Sequence, residues 1–441
     1  MNKSLANQFF KYVSGNVAGM IGVSVYVLAD TLFISLAAGA DGITLLNLAL
    51  PLYSIIFAIG SMIGIGFATR YAIRKAQKKE NIEGYFTQAL LWQIIFAIPF
   101  VILGIFSPQT WIQAMGGDAG IVALGIPYVK IVLLGAPFFM MNYSFTAFAR
   151  NDNAPTVAML AALIASTFNI IFDYIFIFPC GMGLKGAALA TAMSPVVSSL
   201  VCCRHFFSKK STIRLTKTVP SIKRLFSCAK LGVSAFVGEM SSAVTTIIFN
   251  YILLELLGNT GVAAYGVVAN YAIVSIAIFN GIAQGMQPLF SNYYGLGKKA
   301  EVHKLLRMGL FMTAVSAIAM VTIAWMFTPQ LVSVFNSEAN PVLADYAFLA
   351  LRYYYIGFLF AGFNIVMITY FSSITEAAKA SAASVLRGFI AIIGCAITLS
   401  ILFGVTGVWL SFMAAEAITF IVVLFFCLQM RRTKPIPRPY L

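Results

Sequence analysis

The chain has 441 residues, of which 60% are hydrophobic and only 10% charged; that composition excludes a soluble globular domain and places it among polytopic membrane proteins. Its net charge of +15 would suit a nucleic-acid partner in a soluble protein, but the basic residues sit in short connections between apolar runs. There they set topology, and a nucleic-acid partner is rejected. Six cysteines (Cys180, Cys202, Cys203, Cys228, Cys395 and Cys427) include no C-x-x-C pair and read as small packing residues, with neither a metal nor a disulfide framework.

Twelve apolar runs of spanning length follow one another, at 10–37, 46–73, 85–107, 121–149, 156–178, 185–207, 228–257, 262–290, 305–327, 343–373, 380–403 and 407–430. The first has the apolar core of a signal peptide, with Leu36-Ala-Ala-Gly-Ala40 imitating a cleavage site, but Asp30 and Thr31 interrupt that pattern. It reads as an uncleaved first span. Basic residues then fix the orientation: of the 29 Lys and Arg residues, all but Lys130, Lys185 and Arg352 fall on the side of the two termini. Both termini are therefore expected in the cytoplasm.

The two halves repeat each other at an offset of about 220 residues. Gly183-Leu-Lys-Gly186 matches Gly404-Val-Thr-Gly407, Gly39-x-x-Gly42 matches Gly258-x-x-Gly261, Lys130-x4-Gly135 matches Arg352-x4-Gly357, and Lys78-Lys79 matches Lys298-Lys299. An even number of spans per half makes the repeats parallel, about an axis along the membrane normal. The expected fold is an all-α membrane protein with an N-terminal six-helix lobe (1–207), a basic cytoplasmic linker (208–227), a C-terminal six-helix lobe (228–430) and a basic cytoplasmic tail (431–441). Two lobes around a central cleft are the architecture of a transporter.

Most of the 14 acidic residues lie in connections or near helix ends; Asp30, Asp173, Glu239 and Glu416 stand inside spans. An ionised side chain at the bilayer centre costs about 2.5–3.5 kcal/mol on insertion scales, so each of these needs a partner or a function. Asp30 and Asp173 agree in depth. Tyr26 precedes Asp30 by four residues, Asn169 precedes Asp173 by four, and Thr191 of the sixth span reaches a similar level. Two carboxylates facing one poorly hydrated cavity cannot both ionise cheaply and titrate as a unit, which suits a coupling proton; Na+ would satisfy the same oxygens. A hydrogen bond between helices is the structural alternative for Asp30.

Lys130 lies in the same half of the membrane and either pairs with one of these carboxylates or snorkels to the interface. Arg352 and Glu416 share a depth in the second half and are expected to pair. Lys185 reads as interfacial. Glu239, near mid-depth in the seventh span, either attracts a cationic substrate or is a protonated structural acid. Asn280, Gln284 and Gln287 form a polar stripe that lipid would reject, and so are expected to line the interface of the lobes. The 18 Met and 38 Phe residues read as lipid-facing or core. No G-x-S-x-G, H-E-x-x-H or G-x-x-x-x-G-K-[ST] pattern occurs, which argues against an enzyme and against direct ATP use.

Several stretches resemble the MATE (multidrug and toxic compound extrusion) transporters. They are Ala29-Asp30-Thr31-Leu-Phe33-Ile34 leading to Gly39 and Pro51, Asn169-x3-Asp173-Tyr-Ile-Phe-Ile-Phe178, Gly181-Met-Gly183-Leu-Lys-Gly186-Ala-Ala-Leu-Ala190-Thr191, and Gly285-Met-Gln287-Pro288-Leu with Asn292-Tyr-Tyr-Gly295. The resemblance implies a V-shaped pair of six-helix bundles that exports cationic or amphipathic drugs by proton or sodium antiport. It points to the bacterial branch with an N-lobe site, here Tyr26, Asp30, Asn169, Asp173 and Thr191. Some relatives bend the first helix at a proline where this chain has Gly15, Gly19 and Gly22, and some carry a cation site in the seventh helix from which Glu239 is displaced.

The sequence thus leads to a multidrug exporter of the bacterial plasma (inner) membrane, a monomer with small-molecule substrates, the lipid bilayer as its surroundings and no cofactor beyond H+ or Na+. A flippase of the same superfamily for lipid-linked oligosaccharides is the nearest alternative, and it expects a cationic cavity. A channel or an intramembrane enzyme has less support.

Overall fold

The computed structural model describes residues 3–79, 82–209, 211–335 and 341–433; Glu80, Lys210, Glu338 and the basic tail from Lys434 onward, with Arg438, lie outside the described residues. The elements are α1 (Lys3–Ala76), α2 (Tyr85–Phe106), α3 (Pro108–Ala114), α4 (Ala119–Asn151), α5 (Pro155–Ile177), α6 (Leu184–Phe206), α7 (Ile222–Leu257), α8 (Asn259–Gly295), α9 (Lys299–Met326), α10 (Thr328–Phe335), α11 (Pro341–Ile356), α12 (Phe358–Ser373), α13 (Ala377–Val385), a π-helical turn (Leu386–Ala391) and α14 (Ile392–Thr433). No strand occurs among the described residues. Local chemistry sets several starts: the Asp118 side chain accepts from the N–H of Ile121 at 2.8 Å to open α4, and Pro155 opens α5.

Among the described residues ten helices are long and apolar enough to cross a membrane, with Leu5–Gly39 and Asp41–Ala76 counted separately within α1, and the pair α11 and α12, bent by 42°, makes an eleventh. The last of the ten runs Ala377–Met430, 54 residues. Unbroken, it would be about 80 Å long against about 30 Å of hydrocarbon core. Gly404 divides it, at φ 57° and ψ −136°, and the twelve expected spans are accounted for.

Gly39, Gly183, Gly258 and Gly404, the leading glycines of two of the repeat matches, all have positive φ (57°, 52°, 64° and 57°). A Cβ on any of them would meet nothing within 4 Å, so the left-handed backbone and not space demands glycine there. Asn153 and Thr375, at φ 60° and 66°, form another pair at the repeat offset of about 220 residues. The duplication is therefore visible as repeated turn geometry.

By compactness the chain divides into Met1–Glu239 and Met240–Leu441, and α7 carries it across the division. In the first unit Tyr53, Ile56, Val129, Leu133, Phe139 and Met140 pack into one core and Phe67, Phe86, Phe148 and Phe206 into another. The helices touch at glycines: a Cβ on Gly64 of α1 would lie 2.7 Å from the backbone of Tyr143 in α4. Gly15, Gly19 and Gly22 likewise seat the first span on Met159, Ala162 and Leu163 of α5. Outward, Ile98, Ile102 and Phe106 of α2 are exposed, as suits a surface solvated by lipid.

The segment after α6 is docked on this unit. Asp152, which ends α4, accepts from Lys75 Nζ at 2.9 Å, from Ser211 Oγ at 2.9 Å, from the N–H of Thr212 at 3.0 Å and from Thr212 Oγ1, and pairs with His205 Nε2 at 3.0 Å. Burial opposes ionisation of this carboxyl, but the bonds from Lys75 and Thr212 outweigh it and hold its pKa below the usual carboxylate range. Gln88 Nε2 donates to the carbonyl of Val219 at 3.1 Å and Thr87 Oγ1 accepts from the N–H of Thr216 at 3.0 Å. In the second unit Phe279, Phe290, Phe358, Phe371 and Trp409 are fully buried, and Tyr354 stacks on Phe412 at 4.1 Å.

Candidate functional site

Asp30 lies two to three turns before the Gly39 break, and Asp173 lies one turn from the end of α5. Both are buried, at 8% and 0% exposure, and their carboxyl groups are neighbours. Asn169, fully buried one turn before Asp173, donates from Nδ2 to Thr191 Oγ1 of α6 at 3.3 Å. Tyr26, half-buried one turn before Asp30, stands within electrostatic reach of Asp30, Asp173 and Glu239. The five residues thus come together from three helices, because the i, i+4 spacing puts each polar pair on one face.

Hydrogen-bond accounting sets this place apart. Asp30 Oδ1, both carboxyl oxygens of Asp173 and Asn169 Oδ1 are buried with no partner among the described residues, and the one amide donor nearby is taken by Thr191. Buried acceptors are ordinarily satisfied, so the cluster has an excess of acceptors that a proton or a small cation would meet. Among the described residues no three His, Cys, Asp or Glu side chains gather to hold a metal ion.

Composition and spacing gave no signal for the aromatic side of the site. Tyr53 and Tyr128, both buried, face each other with hydroxyls 3.2 Å apart and lie within electrostatic reach of Asp30. From Tyr53 the rings continue through Phe57 (5.7 Å) to Tyr143 (6.1 Å), with Phe139 against both Tyr53 and Phe57. Tyr143 donates its hydroxyl to Glu239 Oε1 at 3.0 Å. These tyrosines sit on α1 and α4, and only the fold brings them beside α5 and α7.

The remaining candidates stand apart from this cluster. Lys130 is exposed on α4 and forms no ion pair among the described residues, and Lys185 is exposed in the first turn of α6. The expected Arg352–Glu416 pair does not form. Glu416, 2% exposed, is bound by Arg387 Nε at 2.7 Å and Asn364 Nδ2 at 2.7 Å. The guanidinium of Arg352 lies instead over the rings of Phe348 (4.3 Å) and Trp325 (5.6 Å). Equal depth fixed neither partner, because the face of the helix decides which side chains meet. In α8 Asn280 and Gln284 are half-buried, and Gln287 is buried with Nε2 on Ser291 Oγ at 3.2 Å.

The chain matches the family model MatE over residues 17–175 and 235–397. It is 26% identical over 398 residues, 89% of this chain and 87% of the relative, to the multidrug export protein MepA of Staphylococcus saprophyticus. Its fold superposes with a TM-score of 0.90, at 23% identity, on the outward-facing conformation of a multidrug resistance MATE family transporter of the MOP superfamily, covering 97% of this chain and 96% of the other. A MOP superfamily transporter from Pyrococcus furiosus, described by a reverse polarity of its binding pocket, superposes at 0.89 with 23% identity and the same coverage.

Proposed function

We propose that this chain, which belongs to the MatE family, is a secondary active multidrug exporter that expels cationic or amphipathic compounds in exchange for H+ or Na+ held at Asp30 and Asp173. The observation that carries the reading is the acceptor excess around those two carboxyls. Two buried carboxylates without donors are costly, and a proton shared between them, or a Na+ among their oxygens with Asn169 and Thr191, removes that cost. Loading therefore favours one arrangement of the first unit, and a ligand shifts an equilibrium only through such a difference.

Glu239, held by Tyr143, adds negative charge toward a cationic substrate, and the rings of Tyr53, Phe57, Phe139 and Tyr143 offer the faces on which an organic cation rests. In the second unit, Asn280, Gln284 and Gln287 are a further polar group proposed to contact substrate. The transmembrane potential contributes about 2.3 kcal/mol per charge per 100 mV. The basic connections support a topology with both termini in the cytoplasm of a bacterial cell. Lobes at 1–207 and 228–430, joined by 208–227, are the units that move, and the chain works as a monomer in the plasma membrane. The flippase alternative needs a cationic cavity, and the exposure of Lys130 and the ring-stacked Arg352 speak against one.

The test is efflux of a fluorescent organic cation from everted vesicles under an imposed pH or Na+ gradient. Gradient-driven transport is expected in the wild type and lost in Asp30→Asn and Asp173→Asn. Full transport in both variants overturns the site; efflux that follows a pH gradient in Na+-free buffer identifies the ion as H+.

A further inference from the structure

On the face of the first unit that carries the connection between α1 and α2, a cavity of about 630 Å³ is lined by Lys79, Glu83 and Gly84 on one side and by Lys217, Thr218 and Arg224 on the other. Among the described residues three cationic side chains thus meet one carboxylate, and none of these four forms an ion pair there. Lys79 and Lys217 are exposed.

Arg224 is the telling group. Its guanidinium lies over the Tyr85 ring at 4.7 Å, and its Nη1 is 3.0 Å from where a Cβ of Gly84 would stand. Gly84 precedes the first turn of α2, whose leading N–H groups have no intrahelical acceptor and form the positive end of the helix dipole. A second guanidinium, Arg74, bonds the Tyr85 hydroxyl at 3.0 Å. Cations against the positive end of a helix repel it, and an anion between them reverses the sign of the interaction. Thr218 adds a donor: its Oγ1 already accepts from Gln88 Nε2 at 3.0 Å, so its own proton is left to point elsewhere.

We propose that this cavity binds a phosphate ester, with Arg224, Lys217 and Lys79 on the phosphate oxygens, Thr218 donating to one of them, and the rest of the volume holding the esterified alcohol. The volume exceeds what inorganic phosphate alone fills, and guanidinium groups suit a phosphate's paired oxygens. The ester is either a lipid headgroup or a soluble organophosphate.

The experiment follows the unfolding temperature of the purified full chain in detergent with two probes, phosphatidylglycerol in mixed micelles and glycerol 3-phosphate in solution. A ligand that binds the native state raises that temperature by mass action. The site predicts a rise with at least one probe, largely lost in Arg224→Gln and in the exposed Lys217→Gln, and kept in Lys299→Gln/Lys304→Gln, which removes twice as much charge elsewhere. A rise with the lipid alone identifies a headgroup, and a rise with glycerol 3-phosphate alone a soluble ester. No rise with either probe, or a rise lost equally in the Lys299/Lys304 control, overturns the proposal.

Discussion

Replacing Arg387 by Met would leave Glu416 buried without its cation. The pair is short, 2.7 Å, with side-chain exposures of 16% and 3%, and Asn364 keeps only the other carboxyl oxygen and the Glu416 carbonyl satisfied. Removing one partner of a buried pair costs about 3–5 kcal/mol, most of it the penalty of the stranded charge. At roughly 2–4 °C per kcal/mol for a unit of this size, Arg387→Met should lower the melting temperature in detergent by about 6–20 °C. Glu416→Gln in that background keeps an acceptor for Asn364 and removes the charge, so the double variant should recover most of the loss. The half-exposed Lys379–Glu376 pair, at 3.0 Å, is the internal comparison: Lys379→Gln should cost less than about 1 kcal/mol. Additive effects of the two buried substitutions, or a loss at Arg387 no larger than at Lys379, would refute the reasoning.

Other substitutions separate the remaining parts of the account. Gly404→Ala forces a side chain into positive φ and should cost about 1–3 kcal/mol, whereas Gly394→Ala, equally free of neighbours but helical, should be neutral or gain up to about 1 kcal/mol; equal melting temperatures would contradict the turn assignment. Glu239→Gln preserves an acceptor for Tyr143 and should leave stability unchanged while raising KM several-fold for a cationic substrate but not for a neutral one. For Asp152, whose pKa is lowered in the folded state, the contribution to stability is full above the unfolded value of about 3.9 and is lost as pH falls through the folded value. The stability difference between wild type and Asp152→Asn should therefore be constant near neutral pH and shrink below about pH 4; a difference that grows in acid would reverse the sign.

The features legible in the sequence were those in which a residue type is demanded by one local condition. Gly39, Gly183, Gly258 and Gly404 stood out because a left-handed turn admits little else, and their common offset exposed the duplication. Asp30, Asn169, Asp173 and Thr191 were grouped because helical spacing and depth suffice when the polar residues are few. The same depth argument failed for Arg352 and Glu416, since depth says nothing of azimuth. The π-helical turn at Leu386–Ala391, with its extra residue, contains Arg387, the side chain that does reach the carboxylate. Tyr143 and Glu239 are separated by 96 positions and carry no shared spacing; their contact depends on helix packing alone. The docking of Ser211 and Thr212 on Asp152 was hidden for a similar reason, because a Ser/Thr-containing basic stretch reads as a loose connection until its acceptor is in place.

The central claim, that one cation and the exported compound exchange at Asp30 and Asp173, is tested most directly by binding without transport. Tetraphenylphosphonium added to the purified chain in weakly buffered detergent should release protons, or displace bound 22Na+, from the wild type. Asp30→Asn/Asp173→Asn should release neither. Release from that double variant equal to the wild type would contradict the account.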